Sequence, residues 1–295
     1  MILVTGTSGF IGKKLLTALV REYGADHILA FTSKPTSECR YVLHNDYNFE
    51  SDYLLRFGYS RITTIIHAGA FTPKNVVESN DLVSCTSNIS NTLKLLQLKL
   101  PELKKIIFLS TLDVYGKSDV INEQSLVQPI SIYGHSKLYC EEIIHRWAKT
   151  NHKVFHLLRV GHIYGPGEEA YQKLIPATIK KLLGGQPLQV WGTGNEIRSF
   201  LFIDDLILAI LKALKFEVDL GIINLVSGSM VTVRELVDIL VEISGINASI
   251  DILPMTSEGK NLVFDNSKMK MKLGNIETPL RQGLVAEWKY MARLQ

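Results

Sequence analysis

The residue pair with the clearest chemical meaning is Tyr133 and Lys137, which are four positions apart. On a helix this spacing puts both side chains on one face. An ammonium near a phenol favours the phenolate, so the sequence predicts a Tyr133 pKa below its ordinary value of about 10. A tyrosine of that kind exchanges protons with a carbonyl or hydroxyl near neutral pH. The alternative is a purely structural pair on a helix, because this spacing alone is common.

A second segment, residues 108–116, supports the catalytic interpretation. It reads Phe-Leu-Ser-Thr-Leu-Asp-Val-Tyr-Gly, and its apolar start is typical of a strand. Side chains at the carboxyl end of a parallel strand face the ligand crevice. Thr111 is therefore predicted to hydrogen-bond the reacting oxygen. Together Thr111, Tyr133 and Lys137 form a candidate acid/base site.

A glycine-rich segment near the start of the chain predicts a phosphate-binding loop. Gly6, Gly9 and Gly12 stand between an apolar run at residues 2–4 and a helical pattern at residues 12–23. Glycines there let the backbone turn tightly and approach a pyrophosphate, while the helix N-terminus offers N–H groups to the anion. A P-loop is disfavoured because the glycine spacing differs and no Ser or Thr follows the lysine. A glycine-rich turn without a ligand is the other alternative.

The end of the second expected strand bears on which dinucleotide is bound. An acidic residue is usual there because it binds the adenosine ribose of NAD. Here residues 31–34 read Phe-Thr-Ser-Lys. The hydroxyl of Ser33 and the ammonium of Lys34 suit a 2′-phosphate, which a carboxylate would repel, so the sequence favours NADP, with NAD as the alternative. Lys34 as a solvated loop lysine remains open. Asp46, which follows an apparent further strand after 27–31, is a candidate partner for the adenine amino group.

The elements that must position these residues alternate in type along the first half of the chain. Strand, helix, strand repetition predicts an α/β fold, a Rossmann-type doubly wound parallel sheet. We expect residues 1–160 to form the dinucleotide-binding domain, with part of 190–225 packed on it. Residues 161–295 are expected to form mainly a smaller, partly interleaved substrate-binding lobe. The predicted helices are 12–23, 82–100, 133–150, 203–216 and 232–245, and the predicted strands are 2–4, 27–31, 61–67, 104–110, 154–159 and 222–226.

Composition excludes several classes of protein. The chain has 295 residues, 46% of them hydrophobic, and a formal charge of +3 without a long basic run. This predicts a sizeable core and argues against nucleic-acid binding. The three scattered cysteines argue against structural zinc and a disulfide framework, and no metal site is expected. With no expected signal peptide or membrane span, the chain is predicted to be cytoplasmic and without a membrane partner.

The ordered set of motifs resembles the extended short-chain dehydrogenase/reductases, a family of nucleotide-sugar epimerases, dehydratases and reductases. The matching segments cover essentially the whole chain, at residues 5–12, 67–70, 110–116, 133–137, 158–167 and 192–205. The resemblance implies that Lys137 also holds the nicotinamide ribose and that Asn88 supports the active site. The predicted cofactor-binding residues are Gly6, Ser8, Gly9, Phe10, Ile11, Gly12, Ser33, Lys34, Asp46, Ala68, Gly69, Ala70, Ser110, Tyr133 and Lys137.

The same resemblance implies four substrate-binding residues. Arg198 matches an arginine that contacts the diphosphate, a role that suits a bidentate guanidinium, with a surface salt bridge as the alternative. Trp191 matches a position that packs on the nucleotide base, with a core tryptophan as the alternative. His162 stands where many relatives have asparagine near the sugar, and Asp113 is either a substrate contact or a capping loop residue. The segment 255–260 lacks the arginine often seen there, which leaves the nucleotide open.

A departure from the family pattern narrows the reaction. Dehydratases of the family carry Thr-Asp-Glu where this chain has Thr-Leu-Asp, and Leu112 cannot protonate a leaving hydroxyl. The resemblance therefore implies NADPH-dependent reduction of a 4-keto-6-deoxy sugar nucleotide, with Tyr133 protonating the oxygen. An NAD-dependent C4-epimerase is the alternative, and a non-catalytic dinucleotide sensor is disfavoured because the catalytic set is present. The resemblance also implies a homodimer formed through the helices at residues 82–100 and 138–149.

Overall fold

A central seven-stranded sheet organises the computed structural model, which describes residues 1–47, 59–254 and 261–294. The strands are β1 (Ile2–Thr5), β2 (Ile28–Thr32), β3 (Arg40–Leu43), β4 (Thr64–His67), β5 (Lys105–Thr111), β6 (Val154–Val160), β7 (Ile163–Tyr164), β8 (Leu188–Trp191), β9 (Ile197–Arg198), β10 (Leu201–Phe202), β11 (Gly221–Leu225), β12 (Val231–Thr232) and β13 (Ile250–Leu253). The order in the large sheet is β11-β6-β5-β4-β1-β2-β3, and its strands from β6 to β3 pair in parallel. This is the Rossmann strand order, so the predicted fold class is confirmed.

Helices connect the strands of this sheet. The α-helices within the described residues are α1 (Phe10–Tyr23), α2 (Leu82–Leu96), α3 (Ile132–Thr150), α4 (Leu174–Leu183), α5 (Ile203–Leu214), α6 (Val233–Ser244), α7 (Ser267–Leu273) and α8 (Leu280–Ala292). The predicted elements are present, with ends displaced by a few residues. The strand predicted from residue 61 begins at Thr64, because Tyr59–Arg61 form a short 3-10 helix. None of the helices in the described ranges is long and apolar enough to cross a membrane.

The sheet strands are apolar because both faces of the sheet are covered. Strands β1, β2, β4 and β5 are buried at every position. Continuous burial of this kind is typical of parallel sheets with helices on both sides. The same burial leaves the polar residues at the strand ends, Thr5, His67 and Thr111, in apolar surroundings where each needs a hydrogen-bond partner.

The chain divides into two compact units. The first contains residues 1–116, 127–160 and 207–223, and the second contains residues 117–126, 161–206 and 224 onward. One change of unit follows residue 160, and residues 117–126 are transferred to the second unit. Ile121 accounts for that transfer, because its N–H donates to the Val263 oxygen at 2.9 Å and its oxygen accepts from Asp265 at 3.0 Å. The substrate-binding role of the second unit stays a prediction.

Candidate active site

The glycine loop after β1 and the segment after β4 meet backbone to backbone. A Cβ atom on Gly6 would lie 2.6 Å from the Cα and N atoms of Gly69, and Gly6 has φ +75°. The side-chain oxygen of Thr5, at the end of β1, accepts a hydrogen bond from the Gly69 N–H at 2.9 Å. Glycine is therefore required at residue 6 both by its backbone conformation and by the space available. Gly69 is one of the predicted cofactor-binding residues, and its contact with the cofactor stays a prediction.

The N-terminus of α1 is built to receive an anion. Gly9 is its N-cap and provides no side chain to cap the helix, and no acidic residue occupies the first turn, where Phe10 and Ile11 are half-buried. A Cβ atom on Gly12 would overlap the Gly6 backbone oxygen, so this glycine lets the helix approach the loop. The positive end of the helix dipole and its N–H groups are thus directed to the loop, as phosphate binding requires.

Two buried hydroxyl groups test whether a polar cofactor fits here. Within the residues that the structure describes, Thr7 Oγ1 and Ser110 Oγ are buried without a hydrogen-bond partner. Such groups in a folded protein normally have a partner, so each requires an explanation. Thr7 belongs to the glycine loop and Ser110 lies near the carboxyl end of β5. These hydroxyls, with the glycine loop, fit a polar dinucleotide.

The residues that follow β2 lie against the glycine loop. The Ser33 hydroxyl is 2.9 Å from the Ser8 hydroxyl, and both are at the exposed edge of the loop. The Thr32 hydroxyl binds the backbone of Lys34, at 2.8 Å to its oxygen and 3.2 Å from its N–H. This turn leaves the Lys34 side chain exposed. The structure therefore brings Ser33, and the backbone of Lys34, to the place where the adenosine ribose is predicted.

The other predicted cofactor residues are less closely grouped. Asp46 is exposed with φ +52°, and its backbone oxygen accepts a hydrogen bond from Lys94 Nζ at 2.7 Å. Ala68 and Ala70 are half-buried on either side of Gly69. The structure holds the Asp46 backbone by this hydrogen bond and leaves its carboxylate at the surface. The contact of Asp46 with adenine stays a prediction.

Tyr133 and Thr111 are joined at the carboxyl end of β5. The Tyr133 side chain is buried, and the side chains of Thr72 and Thr111 lie near enough to its hydroxyl to lower its pKa, against the larger effect of burial. Thr111 Oγ1 also accepts from the Asp113 N–H at 3.2 Å, which caps the short 3-10 helix Leu112–Val114. The threonine and tyrosine that the sequence singles out thus lie beside each other, as an acid/base site requires.

The predicted direction of the Tyr133 pKa is wrong. Burial raises the pKa of Tyr133 above its ordinary value, and the charge of Asp113 raises it further. Asp113 itself keeps an exposed surface, but the surrounding protein displaces part of its hydration and raises the pKa of its carboxyl. Loss of hydration exceeds the effect expected from a nearby ammonium, so Tyr133 is protonated in this structure.

Lys137 is buried one helical turn beyond Tyr133. Its ammonium donates a hydrogen bond to the Leu109 backbone oxygen at 2.7 Å and lies 4.1 Å from the centre of the Phe108 ring. Burial lowers the pKa of Lys137 to about 8. The lysine therefore remains charged at neutral pH, and its ammonium is directed to β5, where we expect the nicotinamide ribose.

Asn88 connects α2 with the neighbouring elements of the site. Its side-chain oxygen accepts from the Phe71 N–H at 2.7 Å, and its amide donates to the Phe71 oxygen and to the Ser136 hydroxyl, each at 3.3 Å. Phe71 follows β4 and Ser136 lies between Tyr133 and Lys137 on α3. Asn88 therefore supports the site by positioning the two segments rather than by an exposed polar group.

The three remaining predicted substrate residues belong to the second unit. Trp191 ends β8 and is 57% exposed, which removes the alternative of a core tryptophan. Arg198 is half-buried in β9 and its guanidinium donates to the Ile197 oxygen at 3.0 Å. His162 is exposed as a residue, and the centre of its ring lies 6.3 Å from that of Phe200. Burial of the imidazole lowers its pKa to about 4. The segment 255–260, where the sequence lacks an arginine, lies outside the described residues.

A model of the NAD dependent epimerase/dehydratase family matches residues 2–225. The chain belongs to this family. The resemblance found in the motifs is thereby confirmed, and the protein is an enzyme of the family. Because the glycine loop and the unpaired hydroxyls fit the group, its cofactor is a nicotinamide dinucleotide.

Three similar proteins of known reaction show how broad the family is. A dTDP-D-glucose 4,6-dehydratase from Dictyostelium discoideum is 27% identical over 70% of this chain, but this match spans only 54% of that protein. A dTDP-4-dehydro-6-deoxyglucose reductase from Escherichia coli is 29% identical over 80% of this chain and 79% of that protein. The crystal structure of a UDP-glucuronic acid 4-epimerase from Bacillus cereus, in complex with UDP-glucuronic acid and NAD, has a TM-score of 0.86 and 29% identity, and it covers 100% of this chain and 99% of that one. Similarity alone therefore leaves the reaction open among members of the epimerase/dehydratase family.

Several residues of the site were missed by sequence reasoning. Thr72 lies near enough to the Tyr133 hydroxyl to lower its pKa. His67 bridges Thr5 at 2.8 Å and Thr92 at 3.1 Å. His67 directly precedes the Ala-Gly-Ala segment, and that position was a usable signal. Thr72 carries no such signal, because its role depends on the loop after β4 folding back onto α3.

Proposed function

We propose that the enzyme transfers hydride at a carbon of a nucleotide-linked sugar, with Tyr133 handling the proton of the sugar oxygen. The observation that carries the proposal is the buried hydroxyl pair of Tyr133 and Thr111 at the end of β5. When bound, the nicotinamide dinucleotide supplies or accepts the hydride. Thr111 orients the reacting oxygen, and Tyr133 exchanges its proton with that oxygen. The similar proteins named above act on dTDP- or UDP-linked sugars, which supports this class of substrate.

Between the possible outcomes, we propose net reduction by NADPH of a keto group, of the 4-keto-6-deoxyhexose type. Ser33 beside the glycine loop and the ammonium of Lys34 suit a 2′-phosphate. Burial holds Tyr133 in its protonated form, which is the form that donates a proton when a carbonyl is reduced. The similarity to the E. coli reductase is consistent with this outcome.

An NAD-dependent C4-epimerase is the second candidate. Its support is the similarity along the full chain to the B. cereus 4-epimerase, which holds NAD in its crystal structure. Here Tyr133 would first accept and then return the proton of the same hydroxyl. Dehydration is disfavoured because Leu112, a buried apolar residue, stands where an acid would protonate the leaving hydroxyl.

The substrate contacts belong to this proposal as well. Arg198 would bind the diphosphate through its guanidinium, and the exposed face of Trp191 would pack on the nucleotide base. Asp113 and His162 would contact the sugar, since both are exposed polar groups. Asp113 follows Thr111 by two residues, so its carboxylate would recognise a substrate hydroxyl beside Tyr133.

We further propose that the protein is a cytoplasmic homodimer. Helices α2 and α3 expose apolar side chains that a second copy would cover, with Val83 79% exposed, Leu82 63% exposed and Tyr139 56% exposed. Exposed apolar patches on soluble proteins commonly mark association surfaces.

The proposed reaction is tested by mass spectrometry of nucleotide sugars after incubation with the purified enzyme. The substrates are UDP- and dTDP-linked hexoses and their 4-keto-6-deoxy forms, each with NADPH or NAD. Net reduction adds two hydrogens and consumes NADPH. Epimerisation leaves the mass constant and changes the sugar's retention time, and dehydration removes one water. A constant mass with changed retention would replace the reductase by the epimerase, and no change with any substrate would overturn the proposal.

A further inference from the structure

A buried ion pair connects α3 with β6. The Arg159 guanidinium donates two hydrogen bonds to the Glu141 carboxylate, Nε to Oε1 at 3.0 Å and Nη2 to Oε2 at 2.6 Å. The two side chains are only 2% and 4% exposed. Pairs of this kind add little net stability compared with apolar residues of similar size, since both charges lose their hydration. Stability alone therefore does not explain why Glu141 and Arg159 are buried.

The carboxylate of this pair lies in line with the catalytic residues. Tyr133, Lys137 and Glu141 follow one another at intervals of four residues, so they share one face of α3. Burial lowers the pKa of Lys137, while its neighbours Cys140 and Glu141 raise it. Burial raises the pKa of the Cys140 thiol, which keeps that group neutral near pH 7. Glu141 is therefore the negative charge that offsets the cost of burying the lysine.

The guanidinium of this pair also contacts the segment that follows Thr111. Arg159 lies 4.6 Å from the centre of the Tyr115 ring, in a cation–π contact. Tyr115 directly follows the short 3-10 helix Leu112–Val114, whose cap is Thr111. One arginine thus contacts the helix that carries Tyr133 and the segment that follows Thr111.

We propose that Glu141 and Arg159 are positioning residues, whose buried ion pair holds α3, with Tyr133 and Lys137, against the segment that follows Thr111. The consequence for turnover rests on the proposed function, in which Lys137 serves the hydride-transfer site. The consequence for the titration of Lys137 does not depend on that function.

Several other titratable groups near Tyr133 and Lys137 could also shift the pKa of Lys137. The titratable and charged groups that act on Lys137 or Tyr133 from the packed elements are Cys140 and Glu141 on α3, His67 on β4, Asp113 after β5 and Cys85 on α2. Arg159 on β6 binds Glu141. Burial, and then the charge of Lys137, lowers the pKa of His67 to about 3, so it is neutral in the working range. Asp113 acts on Tyr133 rather than on Lys137.

The test measures the titration of Lys137 directly. Protein labelled with ¹³C,¹⁵N-lysine is titrated by NMR, and the Lys137 side-chain signal is assigned by its loss in a Lys137→Met variant. In Glu141→Gln the midpoint is expected to fall by about one pH unit, because a nearby opposite charge favours the ionised form. In Glu141→Asp, which keeps the charge, the midpoint stays near that of the wild type. The matched control is Glu142→Gln, which removes the exposed partner of Arg146 on the same helix and leaves the midpoint unchanged.

A second variant keeps the proposal testable if Glu141→Gln does not fold. Glu141→Leu combined with Arg159→Met removes both buried charges and retains apolar volume, a change that proteins commonly tolerate. This double variant is expected to fold and to show a lowered midpoint, with the alkaline limb of the kcat profile moved to lower pH. The shift is expected to be smaller than in Glu141→Gln, because loss of the Arg159 charge acts in the opposite direction, and a fall remains because only Glu141 is close enough to act strongly on Lys137. An unchanged Lys137 midpoint in the folded double variant overturns the proposal. A lowered midpoint in a protein that turns over no nucleotide sugar supports the proposal and refutes the proposed function.

Discussion

Gly134, in the first turn of α3, packs against the backbone oxygen of Asp113 so closely that a Cβ atom at residue 134 would overlap it. The contact brings the Thr111–Asp113 segment next to the turn that begins with Tyr133. The N–H of Gly134 is occupied as well, because it donates to the N-cap Ser131 hydroxyl at 3.1 Å. The close approach of Thr111 and Tyr133 therefore depends on a residue without a side chain.

The first prediction concerns Gly134→Ala. Helix propensity alone would make alanine more stable than glycine by about 1 kcal/mol. The overlap with Asp113 predicts the opposite, a destabilisation of about 1–3 kcal/mol as in overpacked cores, together with a fall in kcat. Urea unfolding and steady-state kinetics measure both. His135→Ala, at the exposed next position, is the control, and a Gly134→Ala protein more stable than the wild type would contradict the role given to this glycine.

The second prediction concerns the proton on Tyr133. Tyr133→Phe keeps the ring and removes the hydroxyl that lies beside Thr111. We expect kcat to fall by about 100- to 10,000-fold, which is the usual contribution of a positioned acid or base. Cofactor binding and Tm should change little, because the ring still fills its site. Tyr139→Phe, an exposed tyrosine of the same helix, serves as control. If Tyr133→Phe turned over nucleotide sugars at the wild-type rate, the catalytic assignment would be lost.

The third prediction concerns the choice of dinucleotide. If Ser33 and Lys34 receive a 2′-phosphate, the wild type binds NADPH more tightly than NADH. Ser33→Ala with Lys34→Ala should then weaken NADPH binding by about tenfold or more, equivalent to about 1.4 kcal/mol, and leave NADH binding unchanged. Fluorescence titration of each cofactor gives the two Kd values. Tighter binding of NADH than NADPH by the wild type would show that the cofactor is NAD.

The fourth prediction concerns a buried carboxyl pair in the second unit. Burial raises the pKa of Glu287, and the neighbouring Glu168 raises it further, with Lys173 acting in the opposite direction. A carboxyl whose pKa rises on folding stabilises the protein fully only below its unfolded value of 4.5 and loses that contribution as the pH rises toward the folded value. Glu287→Gln stays neutral, so it should raise Tm more at pH 8.5 than at pH 5.

Thermal unfolding at several pH values measures this effect, which we expect to reach at least about 2 °C at pH 8.5. Glu102→Gln, in an exposed turn, controls for the loss of one negative charge. An equal change in Tm at both pH values for Glu287→Gln would mean that this carboxyl is not protonated in the folded protein.

The fifth prediction concerns assembly. If α2 and α3 form the dimer surface, light scattering should give twice the mass of one chain. Val83→Glu and Tyr139→Glu place charges at exposed apolar positions of the two helices and should yield monomers that keep their fold by circular dichroism. Leu126→Glu, an exposed apolar residue of the second unit, should leave the dimer intact. A mass of one chain for the wild type would contradict the proposed dimer.

Local sequence patterns were sufficient for most of the fold and for the centre of the site. The alternation of apolar strands and helical patterns predicts the parallel sheet, since each pattern reflects a period of the backbone itself. The spacing of Tyr133 and Lys137 places them on one helix face for the same reason. The glycine loop is recognisable because Gly6 needs a backbone conformation that other residues avoid.

The electrostatics of the site and its long-range contacts could not be predicted from local patterns, because they depend on how distant segments pack. Whether Tyr133 loses or keeps its proton depends on how completely it is buried, and burial is set by every element packed around it. The pairing of Glu141 with Arg159 joins a helix to a strand, and the attachment of Ile121 to Val263 spans more than a hundred residues. No local period encodes such contacts, because they arise when distant segments are brought together by the shared burial of apolar surface.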